Sequence, residues 1–383
     1  MEKLIKFLNS KKNKLSKKFL PLHEPDINVD DQKELIKILK SGYVSSVGKD
    51  ILKFEKKLGN ITKSKFVTPT INGTSALHIA LKVVGVEPHD EVLVPSLSFV
   101  APVNAILYNN ATPHFIDSEM HHFGIDPKKL DGYLKENTFI RNKRCFNKKT
   151  KKIIKALIIV HVFGHPAKIS EILLIARKYK IKIVEDAAEA LGSLYKNKHV
   201  GTFGDIGVLS FNGNKIVTTG VGGAIITNSK KLAIHSKHLT TTAKVNHKWD
   251  FIHNEIGYNY RLSNLNAALG ISQLKKLTKY IIHKRKLFNE YKKIIKNSDD
   301  YFILDEPKNC RSNFWLQTLV LKNPSKTRKN YILRKFHSNN ILARPIWKPL
   351  HKLKYLKKFP RMDLKNTNIL ENKIVNLPSS YYL

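Results

Sequence analysis

Val184-Glu185-Asp186-Ala187-Ala188-Glu189-Ala190-Leu191-Gly192, followed downstream by Ser210-Phe211-Asn212-Gly213-Asn214-Lys215, decides how this chain is read. The first stretch ends an apolar strand on an acid and runs into small residues. The second ends another apolar strand on a serine and enters a glycine-containing turn that carries a lysine. Working outward, short apolar runs alternate with amphipathic stretches from about residue 66 to 227. Phe66–Ile71, Glu91–Pro95, Thr112–Asp117, Ile153–Val162, Ile181–Glu185, Gly207–Phe211 and Gly223–Thr227 read as strands. Ser75–Val84, Ala101–Tyr108, Ile169–Tyr179 and Ala187–Gly192 read as helical. That alternation predicts an α/β fold with a mostly parallel central sheet flanked by helices, its strands buried on both faces.

After Arg261 the character changes. Asn264–Lys275 opens a helical pattern that continues toward Lys296, and mixed strands and helices follow to Leu383. The expected organisation is a basic N-terminal extension over 1–20, a large domain over 21–262 and a smaller α+β domain over 263–383. The extension reads as a basic helix, with membrane-surface attachment as the alternative. The insertion Arg141–Lys152 (RNKRCFNKKTKK) reads as a mobile surface loop.

The chain has 383 residues, of which 42% are hydrophobic, enough for a substantial core and against wholesale disorder. A formal net charge of +38 raises the question of nucleic acid. The lysines are spread over the whole length, so a solvated basic surface is the preferred reading, one that would also draw in an anionic small substrate. Cys145 and Cys310 stand far apart and match no metal or redox spacing; both read as free thiols in a reducing cytosol. No apolar run reaches the roughly 18 residues a spanning helix needs, so neither a membrane nor nucleic acid is expected as a partner.

The acid and the lysine carry the chemistry. Pyridoxal 5'-phosphate needs a carboxylate to keep its ring nitrogen protonated and an amine to bond its aldehyde carbon, and Asp186 and Lys215 offer that pair in that order. A buried Asp186 needs a positive partner; a helix cap or a metal ligand is the competing role, and nothing nearby has metal-binding spacing. Asn72-Gly73-Thr74-Ser75, between a strand and a helix, offers amides and hydroxyls that suit a phosphate, or ordinary N-capping. Ser210 is a second candidate for the phosphate. Phe99, after Ser96-Leu97-Ser98, stacks on a cofactor ring or packs in the core.

These segments together resemble the DegT/StrS-type nucleotide-sugar aminotransferases of the aspartate-aminotransferase (fold type I) superfamily, over about residues 21 to 380. EDAAEALGS at 185–193, GTFGDIGVLSFNGNK at 201–215, TTGVGGAIITN at 218–228 and GYNYRLSNLNAALG at 257–270 carry the likeness. The resemblance implies that Lys215 bonds the cofactor and is the catalytic base, and that Asp186 contacts the ring nitrogen. It implies that Gly73, Thr74, Ser75 and Ser210 hold the phosphate and that Phe99 stacks on the ring. Glu189 falls beside the ring hydroxyl, where many relatives carry glutamine. Asn259 is expected to reach the phosphate of a neighbouring subunit, which makes the active unit a homodimer. PLHEP at 21–25, GYVSSVGK at 42–49, HVFGHP at 161–166, FNGNK at 211–215 and LTTTAKV at 239–245 are similar to aminotransferases of legionaminic-acid and bacillosamine-type pathways. That likeness implies L-glutamate as amino donor and a UDP-linked 4-keto-6-deoxy-N-acetylhexosamine as acceptor, with a product used in surface glycans. A dTDP- or GDP-linked keto-sugar is the alternative, and a non-catalytic binding protein on the same scaffold is the rival from another class. Arg261 and Arg344 are candidates for the diphosphate, and His165 and His351 for the sugar.

Overall fold

A computed structural model describes Met1–Leu383. Its centre is a seven-stranded sheet made of β1 (Phe66–Thr70), β2 (Glu91–Pro95), β3 (Thr112–Ile116), β4 (Ile154–Val160), β5 (Lys182–Asp186), β6 (Ile206–Ser210) and β7 (Gly223–Thr227). The spatial order is β1-β7-β6-β5-β4-β2-β3. Only β7 runs against the others, pairing antiparallel with both β1 and β6. All seven strands fall where the apolar runs predict them. Residues such as Val92–Val94, Leu157–Ile159 and Ile225–Ile226 are buried on both sides of the sheet, which is why these strands read as continuous rather than alternating.

Helices Gly73–Val83, Ala101–Tyr108 and Ile169–Lys178 connect the strands as crossovers, each within two residues of its predicted bounds. The helix Asn264–Ile295 runs from the sheet to a second layer. There an antiparallel sheet orders Tyr301–Ile303, Gln317–Leu321, Ile374–Leu377 and Arg344–Pro345. Two buried clusters result. The larger surrounds the seven-stranded sheet, and the smaller joins Leu287, Phe336 and Leu377 to Leu4, Leu8 and Leu20. The N-terminal helix Glu2–Lys14 therefore lays its apolar stripe into the second core, leaving Lys3, Lys6 and Lys14 exposed while half-buried Lys11 and Lys12 bond to Leu383 O and Asn339 O. That stripe is not free to lie on a membrane, and no helix of the chain is long and apolar enough to cross one.

Two sequence expectations are corrected. Ala187–Gly192 is not a helix. It is a pair of tight turns, Ala190 N–H to Ala187 O and Ser193 N–H to Ala190 O, closed by Gly192 at φ 84°. Helix propensity of the alanines loses to tertiary packing here, because a Cβ at Gly192 would lie 2.5 Å from Ile281 Cδ1. Arg141–Lys152 is not a free loop. Thr138–Arg141 and Arg144–Asn147 form a hairpin that turns at Asn142 and Lys143, both at positive φ. Asn147 Nδ2 donates to buried Glu91 Oε2 at 2.9 Å and Thr150 Oγ1 donates to its other oxygen, which pins the hairpin base to β2.

Candidate active site

The parallel strands all present their carboxyl ends to one side of the sheet, the side where open α/β sheets bind ligands. Asp186 is the last residue of β5, Ser210 the last of β6, Ser98 and Phe99 follow β2, and Gly73 opens the helix after β1. A cavity of about 360 Å³ forms there. Gly73, Thr74, Phe99, Asp186, Glu189, Ser210 and Lys215 line it together. A groove of about 650 Å³ between the helices Lys49–Thr62 and Lys230–Thr240 is larger, but it brings together no acid and amine from strand ends and offers no comparable chemistry.

Asp186 is buried, and its Oδ1 accepts from Ala188 N–H at 3.0 Å. Burial pushes its carboxyl above the ordinary range, more than the Ala188 amide and the charges of Lys215 and His161 pull it down. A buried acid left in this condition calls for a cation in the cavity. Glu189 is also pushed up by burial, against the pull of Lys215. Its Oε2 accepts from Phe163 N–H at 2.8 Å, and its Oε1 lies 3.4 Å from Lys215 Nζ. Phe163 holds that amide in place from a left-handed backbone (φ 55°).

Below the pair, Glu185 organises the loop between β5 and β6. It accepts from Gly201, Phe203 and Gly204 N–H at 2.8, 2.6 and 2.6 Å, and His161 Nε2 lies 3.2 Å away. Burial pushes this carboxyl up, but those bonds together outweigh it and leave it below its usual value.

At the helix Gly73–Val83, Asn72 Oδ1 caps Ser75 N–H at 2.7 Å and the helical ladder begins at Ala76, so the amides of Gly73 and Thr74 have no acceptor within the chain. A Cβ at Gly73 would come 2.9 Å from Ser210 Cβ, so glycine keeps this mouth of the cavity open. Ser98 Oγ is buried against the cavity with no partner. Free amides, two hydroxyls and a helix N-terminus make an anion cradle.

The other candidates lie elsewhere. Ser75 is buried in the helix and contributes its backbone to the cap, outside the lining. Asn259 is exposed and bridges Thr241 through its backbone. Arg261 bridges Thr70 and is half-buried. His165 is buried against Ser312, its Nδ1 2.9 Å from Ser312 Oγ, and burial drives it down to about 3. His351 Nδ1 lies 2.7 Å from Ser96 Oγ, and Arg344 is exposed on the smaller sheet. Within one chain, then, the side chains of Asn259, Arg261, His165, His351 and Arg344 do not line the cavity; a serine hydroxyl remote in sequence takes the ring of His165 and of His351.

Two tryptophans complete the lining without having been singled out. Trp315 places its ring centroid 4.0 Å from Lys215 Nζ, and Trp347 packs on Phe163 with centroids 4.9 Å apart. Both come from the second layer, and no spacing in the sequence ties them to Lys215.

Comparison with known proteins fits this arrangement. Residues 25–383 match the model of the DegT/DnrJ/EryC1/StrS aminotransferase family. The chain is 33% identical over 365 residues to a GDP-perosamine synthase of Escherichia coli O157:H7, covering 94% of this chain and 93% of that protein. It is 31% identical over 334 residues to a UDP-4-amino-4,6-dideoxy-N-acetyl-beta-L-altrosamine transaminase of Campylobacter jejuni, covering 87% and 85%. The solved structure of Helicobacter pylori PseC, an aminotransferase involved in the biosynthesis of pseudoaminic acid, superposes with a TM-score of 0.85 at 26% identity, covering 94% and 93%. An acid at a strand end facing a lysine in the turn after the neighbouring strand, an open anion cradle and a match over nearly the whole length agree: the chain belongs to the DegT/DnrJ/EryC1/StrS aminotransferase family, whose enzymes depend on pyridoxal phosphate.

Proposed function

We propose that this enzyme moves the amino group of L-glutamate to C4 of a nucleotide-linked 4-keto-6-deoxy sugar. The observation that carries the reading is the convergence of Asp186, Lys215 and the Gly73–Ser210 cradle on one cavity. The residues fit the cofactor. Asp186, raised by burial and short of partners, suits a protonated ring nitrogen; the free amides of Gly73 and Thr74 with Ser210 suit the phosphate; Phe99 and Ser98 stand between. When bound, the cofactor supplies an electron sink that lets a C–H bond beside nitrogen break.

The chain's own residues do the rest. Asp186 keeps the ring nitrogen's proton in place by charge. Lys215 Nζ, once free, takes the proton from Cα of glutamate, and in the second half-reaction it delivers a proton to C4 of the sugar. Glu189 stands within 3.4 Å of that amine and shares its charge. Asn259, exposed here, supports a role across a dimer interface, toward the phosphate of a second copy.

The nucleotide has two readings. The motif likeness around residues 161–166 and 239–245 favours UDP with an N-acetylated sugar. GDP is favoured by the GDP-perosamine synthases, which align over 93–94% of this chain at 30–33% identity. Competition between UDP- and GDP-linked keto-sugars in one assay decides between them. For the reaction itself, Lys215→Ala should keep its fold and lose activity by more than about a thousandfold. Retained turnover in that variant would remove Lys215 from the mechanism.

A further inference from the structure

We propose that the indole face of Trp315 and the carboxyl of Glu189 form a seat for the Lys215 ammonium, which makes Trp315 a positioning residue for the reacting amine as well as a packing one. The proposal rests on the reading of Lys215 as the amine of the reaction. Lys215 Nζ lies 4.0 Å from the Trp315 ring centroid and 3.4 Å from Glu189 Oε1. The second distance is beyond a good N–H···O bond, so the carboxyl alone does not hold the amine. A tryptophan face attracts a cation through its quadrupole, most strongly where water is excluded, and the Lys215 side chain is only 14% exposed.

The ring is fixed for this task from three directions. Trp315 Nε1 donates to Asn214 O at 2.8 Å, the residue just before Lys215. Trp315 N–H donates to Asn313 Oδ1 at 2.8 Å. Trp315 O accepts from Lys284 Nζ at 2.9 Å, a buried lysine with no carboxylate beside it. Asn313 also donates through Nδ2 to the carbonyls of Glu189 and Leu191 at 2.9 and 3.0 Å. One amide thus sets both the tryptophan and the turn that carries Glu189. The seat is assembled from the second layer and from the turn after β5, and both parts converge on one nitrogen.

A transaminase lysine is bonded for part of the cycle and free for the rest. When free it has just taken a proton and has to stay charged, close and dry until it gives the proton back. A carboxyl on one side and a π face on the other meet those three needs.

The test has two readouts on the full chain. In cofactor-free protein, acetylation of Lys215 by acetic anhydride is followed by peptide mass spectrometry, with the exposed lysines as internal controls. Trp315→Leu and Glu189→Gln should label about tenfold faster than wild type, because an amine that has lost one of its two contacts leaves the seat and meets the reagent more often. Trp315→Phe, which keeps an aromatic face, should stay near wild type. In the loaded enzyme, single-turnover reaction with glutamate should slow in Trp315→Leu at an unchanged half-saturating concentration, and recover in Trp315→Phe. Wild-type labelling and rates in Trp315→Leu would overturn the proposal. So would equal failure of Trp315→Phe, which would assign the effect to the indole N–H bond to Asn214. Glu189→Gln conserves shape and guards against a Trp315→Leu that merely loosens the site. Full turnover in Lys215→Ala is a separate result, and it would sink the underlying role of the lysine rather than the seat.

Discussion

Asp186, Glu189 and Glu185 lie within five positions of one another, and their environments part them. Burial raises Asp186 and Glu189, whereas amides and His161 bring Glu185 down in spite of burial. A raised carboxyl binds protons more tightly folded than unfolded, so its share of stability is present below the unfolded value and is lost as pH rises through the folded one. Cofactor-free protein should therefore lose thermal stability as pH climbs from about 4 toward neutrality, and Asp186→Asn should flatten that slope. Loading the cofactor should flatten it too, since Asp186 then has a cation; thermal melts across pH compare the three. Glu185 behaves oppositely, contributing above its unfolded value and losing its contribution on acidification through its lowered one. Glu185→Ala leaves the amides of Gly201, Phe203 and Gly204 and the buried His161 ring without their acceptor and should cost about 3 kcal/mol by urea unfolding. Asp186 and Lys215 stand out in the sequence because an acid at one strand end and an amine in the turn after the next strand have few other uses. His165 and Arg344 lie away from the cavity of their own chain, beside Ser312 and on the small sheet, partners far away in the sequence that no local spacing announces.

The strands of the central sheet were legible because burial on both faces leaves apolar runs that little else in a soluble chain produces. Turns were the harder part. Ala187–Gly192 has helix-forming composition, but it has to aim Asp186 and Glu189 into one cavity while passing under Ile281, and no local propensity encodes that. The basic stretch 141–152 hid its order because its anchor is remote: Glu91, at the far end of β2, receives Asn147, Thr150 and His114. Glu91→Ala should speed amide exchange through Thr138–Lys152 while turnover stays at wild-type level, because the anchor lies at the opposite end of β2 from the cavity. Hydrogen–deuterium exchange read by mass spectrometry checks this, and unchanged protection of the hairpin would show that the anchor does not matter.

The molecule as a whole carries +38 formal charges, yet the three most exposed of its large apolar side chains lie on the segment that also holds Asn259. Trp249, Phe251 and Ile256 are 70%, 80% and 77% exposed in the single chain, a surface that a second copy would cover. The proposed sharing of the site between two copies makes a sharp prediction. Lys215→Ala and Asn259→Ala should each be nearly inactive alone, and mixing them with subunit exchange should restore about a quarter of wild-type activity, from heterodimers with one intact site. No recovery would place Asn259 outside the partner's site. The transfer itself can be followed atom by atom. Purified, cofactor-loaded enzyme is given nitrogen-15 L-glutamate and a panel of UDP-, GDP- and dTDP-linked 4-keto-6-deoxy sugars, with Lys215→Ala beside it. The label should appear at C4 of one nucleotide sugar with 2-oxoglutarate in equal amount, and the variant should give neither product. Labelled sugar from both proteins alike, or a cofactor that glutamate leaves unchanged in the wild type, would contradict the proposed transfer.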